Sequence, residues 1–426
     1  MGVMRRRQFL SLTALAAASF AGRPAQRRSS GTSKGRVIVV GGGFAGSSCA
    51  LELRRIDPAI DVAIIDPDAR YVTCPMSNEV IAGMRNLDSI TVDRAGLARA
   101  GVRWIQSIVT SIDSGRRTLR LAEAKMMEYD RLVVAPGIRF VADWPQGYNE
   151  QASQRMPHAW KAGVQTALLA KQVREMKDGG VVAISVPSGL MRCPPGPYER
   201  ASLIAHYLKQ HKPRSKVLIF DANNRFPKQD VFAEVWQELY PGMIEWIPLT
   251  EDGTVIRVDA QNMTLYTSGG AHPVAVANVI PPQAPGMLAL ETGLSSGHGW
   301  CPVKSESFES RLIPDIHVIG DACIADAMPK SASAAHSQAK QCAAAISAAF
   351  AGRDPPAPML DSVCYSLLAP DKALAIRGSF RSTNGEIRQL DPTSETDAVA
   401  PPPASAQQAS EAGSWYKTTV ADSFGA

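Results

Sequence analysis

Short runs of β-branched, apolar residues alternate along this chain with longer stretches whose apolar residues recur at helical spacing. Val37 to Val40 is an unbroken apolar run, the pattern of a parallel strand covered on both faces. Ala45, Cys49, Leu51 and Leu53 follow as the small and apolar positions of a helix, and Asp61 to Ile65 predicts a second strand ending in Asp66. The theme returns further on. Tyr129 to Gly137 predicts a strand ending in a turn of small residues, and Val181 to Pro187 and Val217 to Phe220 predict strands flanking an amphipathic helix over Tyr198 to Gln210. Ile316 to Ile319 predicts a strand leading into Gly320-Asp321-Ala322, and a helix rich in small residues is expected from about Ala332 to Phe350. From Leu360 the pattern changes. Asn384-Gly385 marks a hairpin, Ala398 to Ala412 is Pro/Ala/Gln/Ser-rich and reads as mobile, and Ser414 to Phe424 predicts a short amphipathic helix. Alternating strands and helices predict parallel sheets, and 426 residues exceed what a single core serves.

The turn after the first strand carries chemistry. Gly41, Gly43 and Gly46 have the G-x-G-x-x-G spacing, with a strand before and a helix after. The first glycine permits the tight turn, the second lets the backbone approach a pyrophosphate, and the third lets helix and strand pack closely. Free amides at the helix start bind phosphate. Asp66 stands about 20 residues on, where an acid grips a ribose hydroxyl. This is a dinucleotide site. The second unit differs at the same point: its turn reads Ser188-Gly189-Leu190-Met191-Arg192-Cys193-Pro194-Pro195-Gly196-Pro197, without the glycine spacing. Its three prolines have no N–H to offer a phosphate, so no nicotinamide nucleotide is expected there. Asp321 is placed to hold a ribityl hydroxyl of a flavin. Lys330, with the following helix N-terminus, is expected to face its pyrimidine end.

Composition adds the compartment. The net charge of +5 comes from the first residues: Met1 to Lys34 hold seven Lys or Arg and no acid, and without them the chain carries −2. No basic stripe suggests nucleic acid. Arg6-Arg7-Gln8-Phe9-Leu10 fits the twin-arginine pattern and precedes an apolar, Ala-rich run too short to span a membrane, with a cleavage point at Phe20-Ala21. The expected product is periplasmic, with no integral membrane segment in the mature chain; retention of the leader as an anchor is the alternative. The seven cysteines stand at 49, 74, 193, 301, 323, 342 and 364, none in C-x-x-C spacing, so neither c-type haem attachment nor a zinc knuckle is encoded. Any haem must sit on a partner chain.

The stretches YVTCPMSNEV, RCPPGPYERASL, HVIGDACIADAMPKS, CYSLLAP and SWYKTTVADSFG carry a resemblance that extends from Gly35 to Ala426. The chain resembles the flavoprotein subunit of flavocytochrome c sulfide dehydrogenases, within the wider sulfide:quinone oxidoreductase and disulfide-reductase-like flavoproteins. One departure is Pro75, where the family pattern leads us to expect an aromatic residue. The resemblance implies an α/β protein with two Rossmann-like, glutathione-reductase-like domains and a small C-terminal α+β domain. Residues 35–146 and 288–355 would bind FAD, 147–287 would form the second Rossmann-like domain, and 356–426 the C-terminal domain, after a leader and linker over 1–34. It implies a thioether from Cys74 to FAD, a redox-active disulfide between Cys193 and Cys364, and Glu199 as an active-site carboxylate and base. It further implies sulfide as substrate and a c-type cytochrome subunit as electron acceptor, in a heterodimer.

The residues themselves agree with this division of labour. A thiolate attacks a disulfide readily, an exported protein keeps one, and Arg192 beside Cys193 would favour the thiolate. Cys301 is the rival partner for Cys193, an inert structural bridge is the rival role, and Cys49, Cys323 and Cys342 read as core. The alternative functions are a quinone-reducing sulfide oxidoreductase, an NADH-dependent disulfide reductase, and a non-catalytic accessory flavoprotein of a sulfur-oxidising complex.

Overall fold

In the computed structural model, which describes residues 34–295, 299–390 and 403–425, the alternating pattern becomes two parallel sheets. The first runs, in spatial order, Ile316–Val318, Arg131–Val134, Gly35–Val40, Ile60–Asp66 and Arg103–Gln106, every neighbouring pair parallel. Val37, Val39 and Ile64 are fully buried, each contributing roughly 1.5–3 kcal/mol by leaving water. Over this core the helices Phe44–Ile56 and Ala332–Phe350 pack against each other. Small buried side chains, among them Cys49, Ala50, Ala339, Cys342 and Ala343, allow the close approach. The glycine turn takes the form its spacing predicts. Gly41 has φ +101°, and a Cβ there would lie 2.2 Å from the Ala135 carbonyl oxygen; one on Gly46 would lie 1.9 Å from the Gly41 carbonyl oxygen.

The second sheet has the order Ile244–Ile247, Lys216–Asp221, Val181–Val186, Val276–Val279, again all parallel. In both sheets the first strand of the unit lies inside the order, so its two neighbours are reached by connections running opposite ways. The crevice outside the strand C-termini at such a switch is where ligands bind.

The third part is an antiparallel sheet of Met359–Ala369, Lys372–Thr383 and Glu386–Gln389. Its second turn is the expected Asn384-Gly385, at φ +54° and +80°, as a two-residue hairpin of matching twist requires. The closing helix is longer than its amphipathic end suggests. It spans Ala406–Phe424, so the part of the Pro/Ala/Gln/Ser-rich stretch from Ala406 to Ala412 is helical. Ser405 caps it by accepting the Gln408 N–H, and Ala412, Tyr416 and Phe424 are buried. This helix returns to the first domain: the Phe424 ring lies 5.1 Å from that of Phe44 and 5.5 Å from that of Tyr71. Residues 398–402 and the twin-arginine leader lie outside the described residues. Among the described residues no helix is long and apolar enough to cross a membrane.

Candidate active site

A cavity of about 810 Å³ opens at the switch point of the first sheet, large within the ~300–1,000 Å³ range of ligand pockets. All three parts of the chain line it. The first domain contributes Gly41, Gly43, Asp66 and Cys74, the second Cys193 and Glu199, and the C-terminal sheet Cys364. Asp66 braces the glycine turn: its carboxylate accepts from the Gly42 N–H (2.6 Å), the Asp68 N–H (2.9 Å) and Arg94 Nη2 (2.9 Å). Asp321 reaches the same cavity and faces the Arg192 guanidinium at 3.5 Å. Ser331 and Ala332, at the N-terminus of the 19-residue helix Ala332–Phe350, complete the wall. A glycine cradle that a Cβ would fill, an acid at the ribose position and a long helix aimed at the cavity fit FAD.

Lys330 does not face that cavity. Its ammonium donates to the carbonyl oxygens of Asp321 (2.9 Å) and Cys323 (2.7 Å) and lies 3.9 Å from the Trp300 ring centroid. It lines a separate cavity of about 250 Å³. Two carbonyls and an aromatic face hold the cation there, which corrects its expected position at the pyrimidine end; the helix N-terminus is what remains on the main cavity.

Cys193 and Cys364 are 171 positions apart in sequence, yet their sulfurs come within hydrogen-bonding reach on the cavity wall. Cys193 has φ +52°, an uncommon conformation for a side-chain-bearing residue. Its N–H donates to the Lys330 carbonyl (2.8 Å) and its carbonyl accepts from the Gly196 N–H (2.9 Å), which turns the chain into the helix Gly196–His211. Cys364 sits in the strand Met359–Ala369 opposite Ile376. Arg192 favours the Cys193 thiolate, as expected, but contact with Cys364, burial and the nearby Glu199 outweigh it and push the thiol well up. The guanidinium is turned to Asp321 and to the Trp160 carbonyl. Cys301 is buried, does not line the cavity, and pairs in register with Cys323. Cys49 and Cys342 are buried neighbours between the two packed helices. Cys74 stands on the cavity in the loop after Tyr71–Val72, its sulfur 3.7 Å from the Trp160 carbonyl oxygen. That loop is tied down by the Thr73 hydroxyl, 2.9 Å from that of Tyr416 on the closing helix.

Glu199 lies in the first turn of the helix Gly196–His211. One carboxylate oxygen accepts the Leu367 N–H (3.1 Å) and the other accepts Asn78 Nδ2 (3.0 Å). Burial outweighs these donors and pushes its pKa up to about 7. The folded state therefore binds a proton that the unfolded chain releases near pH 4.5, and this group makes the protein lose stability as pH rises from about 4.5 to about 7. The stability difference between wild type and Glu199→Gln, from thermal melts, should shift against the wild type as pH rises across that window; a difference independent of pH would remove the carboxyl from this balance.

Sequence reasoning missed Asn78, Arg200 and the Asp321–Arg192 contact. Asn78 and Arg200 lie inside the two stretches quoted for their cysteines, but neither residue type announces a role there. Only the fold brings them within 2.9 Å of each other.

Residues 166–281 match the central region of the sulfide dehydrogenase [flavocytochrome c] flavoprotein chain, and 356–424 match the flavin-binding region of flavocytochrome c sulphide dehydrogenase. Residues 35–158 match the pyridine nucleotide-disulphide oxidoreductases. A sulfide dehydrogenase [flavocytochrome c] flavoprotein chain from Chlorobaculum thiosulfatiphilum is 56% identical over 45 residues, 11% of this chain and 94% of that sequence. The chain belongs to the flavocytochrome c sulfide dehydrogenase flavoprotein family. Within the wider group, the mitochondrial sulfide:quinone oxidoreductase of Mus musculus is 22% identical over 302 residues, 67% of this chain and 65% of the mouse protein. The chain thus matches somewhat under two thirds of that relative's length. The solved sulfide:quinone oxidoreductase of Aquifex aeolicus superimposes with a TM-score of 0.70 at 17% identity, covering 92% of this chain and 91% of that one, a likeness of fold. The flavocytochrome c family places this chain among the FAD-binding flavoproteins with Rossmann-type domains.

Proposed function

We propose that this chain oxidises sulfide in the periplasm, with FAD held covalently by Cys74, a Cys193–Cys364 disulfide as the group sulfide attacks, and a c-type cytochrome subunit as electron acceptor. The observation that carries this reading is the meeting of Cys193 and Cys364 on the wall of the cavity that the glycine turn also lines. Bound FAD supplies two-electron acceptor chemistry. Gly41, Gly43, Asp66 and Asp321 would hold it, and Cys74 would anchor it. HS⁻ attacks one sulfur of the Cys193–Cys364 disulfide. A new S–S bond forms to the incoming sulfur, the bond between the cysteines breaks, and the other cysteine leaves as its thiolate. Glu199, balanced near neutrality, takes the persulfide proton. Val363, Cys364, Tyr365 and Leu367 of the C-terminal sheet, with Trp415, line the same cavity as the glycine turn.

The turnover test is purified holoprotein with sulfide and either oxidised cytochrome c or a soluble quinone. Sulfide-dependent reduction of the cytochrome supports the proposal. Reduction of the quinone alone would make the chain a quinone-reducing sulfide oxidoreductase, the reading favoured by its likeness to those proteins. Turnover with neither acceptor would favour an accessory flavoprotein.

NADH should leave the flavin oxidised. In the second unit Pro194, Pro195 and Pro197 interrupt the turn where a phosphate would bind. Asp221, at the strand end where an acid would grip ribose, is fully buried and accepts from the Tyr198 hydroxyl (2.5 Å) and Trp246 Nε1 (2.9 Å). Anaerobic mixing with excess NADH checks this, and fast bleaching of the flavin would overturn it.

A further inference from the structure

Arg200 is a charge in an unusual setting. It is 2% exposed and, among the described residues, no carboxylate forms an ion pair with it. Its guanidinium donates only to neutral acceptors: Asn78 Oδ1 (2.9 Å), Asn278 Oδ1 (2.7 Å) and the carbonyl oxygens of His158 (3.2 Å) and Ala159 (2.7 Å). Buried charges are ordinarily paired, so a cation left on amides and carbonyls acts on whatever anion lies beyond them.

Asn78 lies between. An arginine only donates, so the Asn78 oxygen must face Arg200 and its NH2 group must face the other way. There it donates to Glu199 Oε2 (3.0 Å) and the Gly196 carbonyl (3.3 Å). The second Glu199 oxygen meets the Leu367 N–H, which also only donates (3.1 Å). Both carboxylate oxygens therefore face donors whose direction is fixed by something else, and a proton on either loses a hydrogen bond.

We propose that Arg200 and Asn78 form a one-way hydrogen-bond relay that keeps Glu199 ready to accept a proton beside the Cys193–Cys364 pair, with Asn78 a positioning residue of the reaction. The inference rests on Glu199 being the base of the proposed function. The charged and titratable groups around Glu199 sort accordingly. On the helix Ser77–Ile81 the facing group is Glu79, ion-paired with Arg85 at 2.8 Å, which opposes ionisation. Arg200 on its own helix favours it, and Cys193 lies just before that helix. On the strand Met359–Ala369 stand Cys364 and Tyr365, the latter's hydroxyl engaged with Arg377 (2.9 Å).

The test uses holoprotein variants Asn78→Ala and Asn78→Asp, read two ways. Asp keeps the shape of Asn and turns the donor into an acceptor, so it remains informative should Ala fail to fold. The first readout is the Glu199 titration, followed by infrared difference spectroscopy of the carboxyl band against Glu199→Gln, without sulfide. The second is the pH profile of flavin reduction by sulfide. The titration midpoint should rise by about one unit or more in Asn78→Ala, a tenfold gain in proton affinity, and further in Asn78→Asp. The acid limb of the profile should move with it while the alkaline plateau stays within a few-fold. A merely structural role lowers the rate by one factor at every pH and leaves the infrared midpoint in place, and that result overturns the proposal. A shifted midpoint in a protein that sulfide does not reduce at any pH, wild type included, would keep the relay and defeat the proposed function.

Discussion

Serine at either Cys193 or Cys364 is expected to abolish most sulfide-driven reduction of the bound flavin, and serine at both to be little worse than either alone. HS⁻ needs an electrophilic sulfur, and only a pair provides both the sulfur that is attacked and the sulfur that leaves. Residues that act as one unit are strongly non-additive on mutation. FAD binding should survive, because the glycine turn and Asp66 stand on other elements. An inert bridge predicts the reverse. Its loss would lower stability by roughly 2–5 kcal/mol while the folded fraction kept its rate. Rapid-mixing reduction by sulfide in the three variants, beside their thermal melts, separates the two. A near-normal rate in Cys364→Ser would take that residue out of the reaction, and the geometry leaves Cys301 badly placed to replace it, buried against Cys323 off the cavity.

The second large effect concerns Cys74. After acid precipitation of the wild-type protein the yellow colour should stay with the polypeptide, and in Cys74→Ala nearly all of it should pass into the supernatant. Cys74 lies on the cavity in a loop fixed from both sides: before it, the Thr73 hydroxyl contacts Tyr416 and the Thr73 N–H donates to the Ile90 carbonyl (2.9 Å), and after it the Ser77 N–H donates to the Cys74 carbonyl (3.1 Å). Such a loop presents its sulfur in one place. The neighbouring Pro75 leaves that placement intact, its carbonyl accepting the Thr73 hydroxyl (3.1 Å). Cys74→Ala should still take up FAD through the glycine turn, but reversibly, so dialysis depletes it. Full release of flavin from the wild-type protein by acid would contradict the thioether.

The helices and strands that bear on the cofactor were legible because local chemistry dictates them. Ala332–Phe350 matches its pattern end to end, and the turn at Gly41 follows from a conformation only glycine adopts without strain. The start of the closing helix is not legible because its first turns are polar and Ala-rich; they carry no apolar stripe, and of them Ala412 is the residue that is buried. For the site, spacing pointed to Gly41, Gly43, Gly46 and Asp66, and family resemblance to Cys74, Cys193, Cys364 and Glu199. Neither source shows direction. Lys330 is a cation near the cavity in sequence, yet two carbonyls and Trp300 hold it facing away. Arg192 adjoins Cys193 along the chain and favours its thiolate, yet contact with Cys364, burial and Glu199 outweigh it, and its guanidinium also faces Asp321. Asn78 bridges Arg200 and Glu199 by hydrogen bonds, and the Leu367 N–H meets the other Glu199 oxygen, in a cluster that three separate segments bring together.

The most direct measurement is mass spectrometry of the cysteine peptides after anaerobic addition of one equivalent of sulfide to the oxidised holoprotein, with immediate alkylation. Without sulfide, the account predicts a cross-linked pair of peptides containing Cys193 and Cys364, and a Cys74 peptide carrying the flavin. With sulfide, it predicts the cross-link opened and one added sulfur on Cys193 or Cys364 and on no other cysteine. A flavin bleached by sulfide while Cys193 and Cys364 stay unmodified, or are never joined, would contradict it.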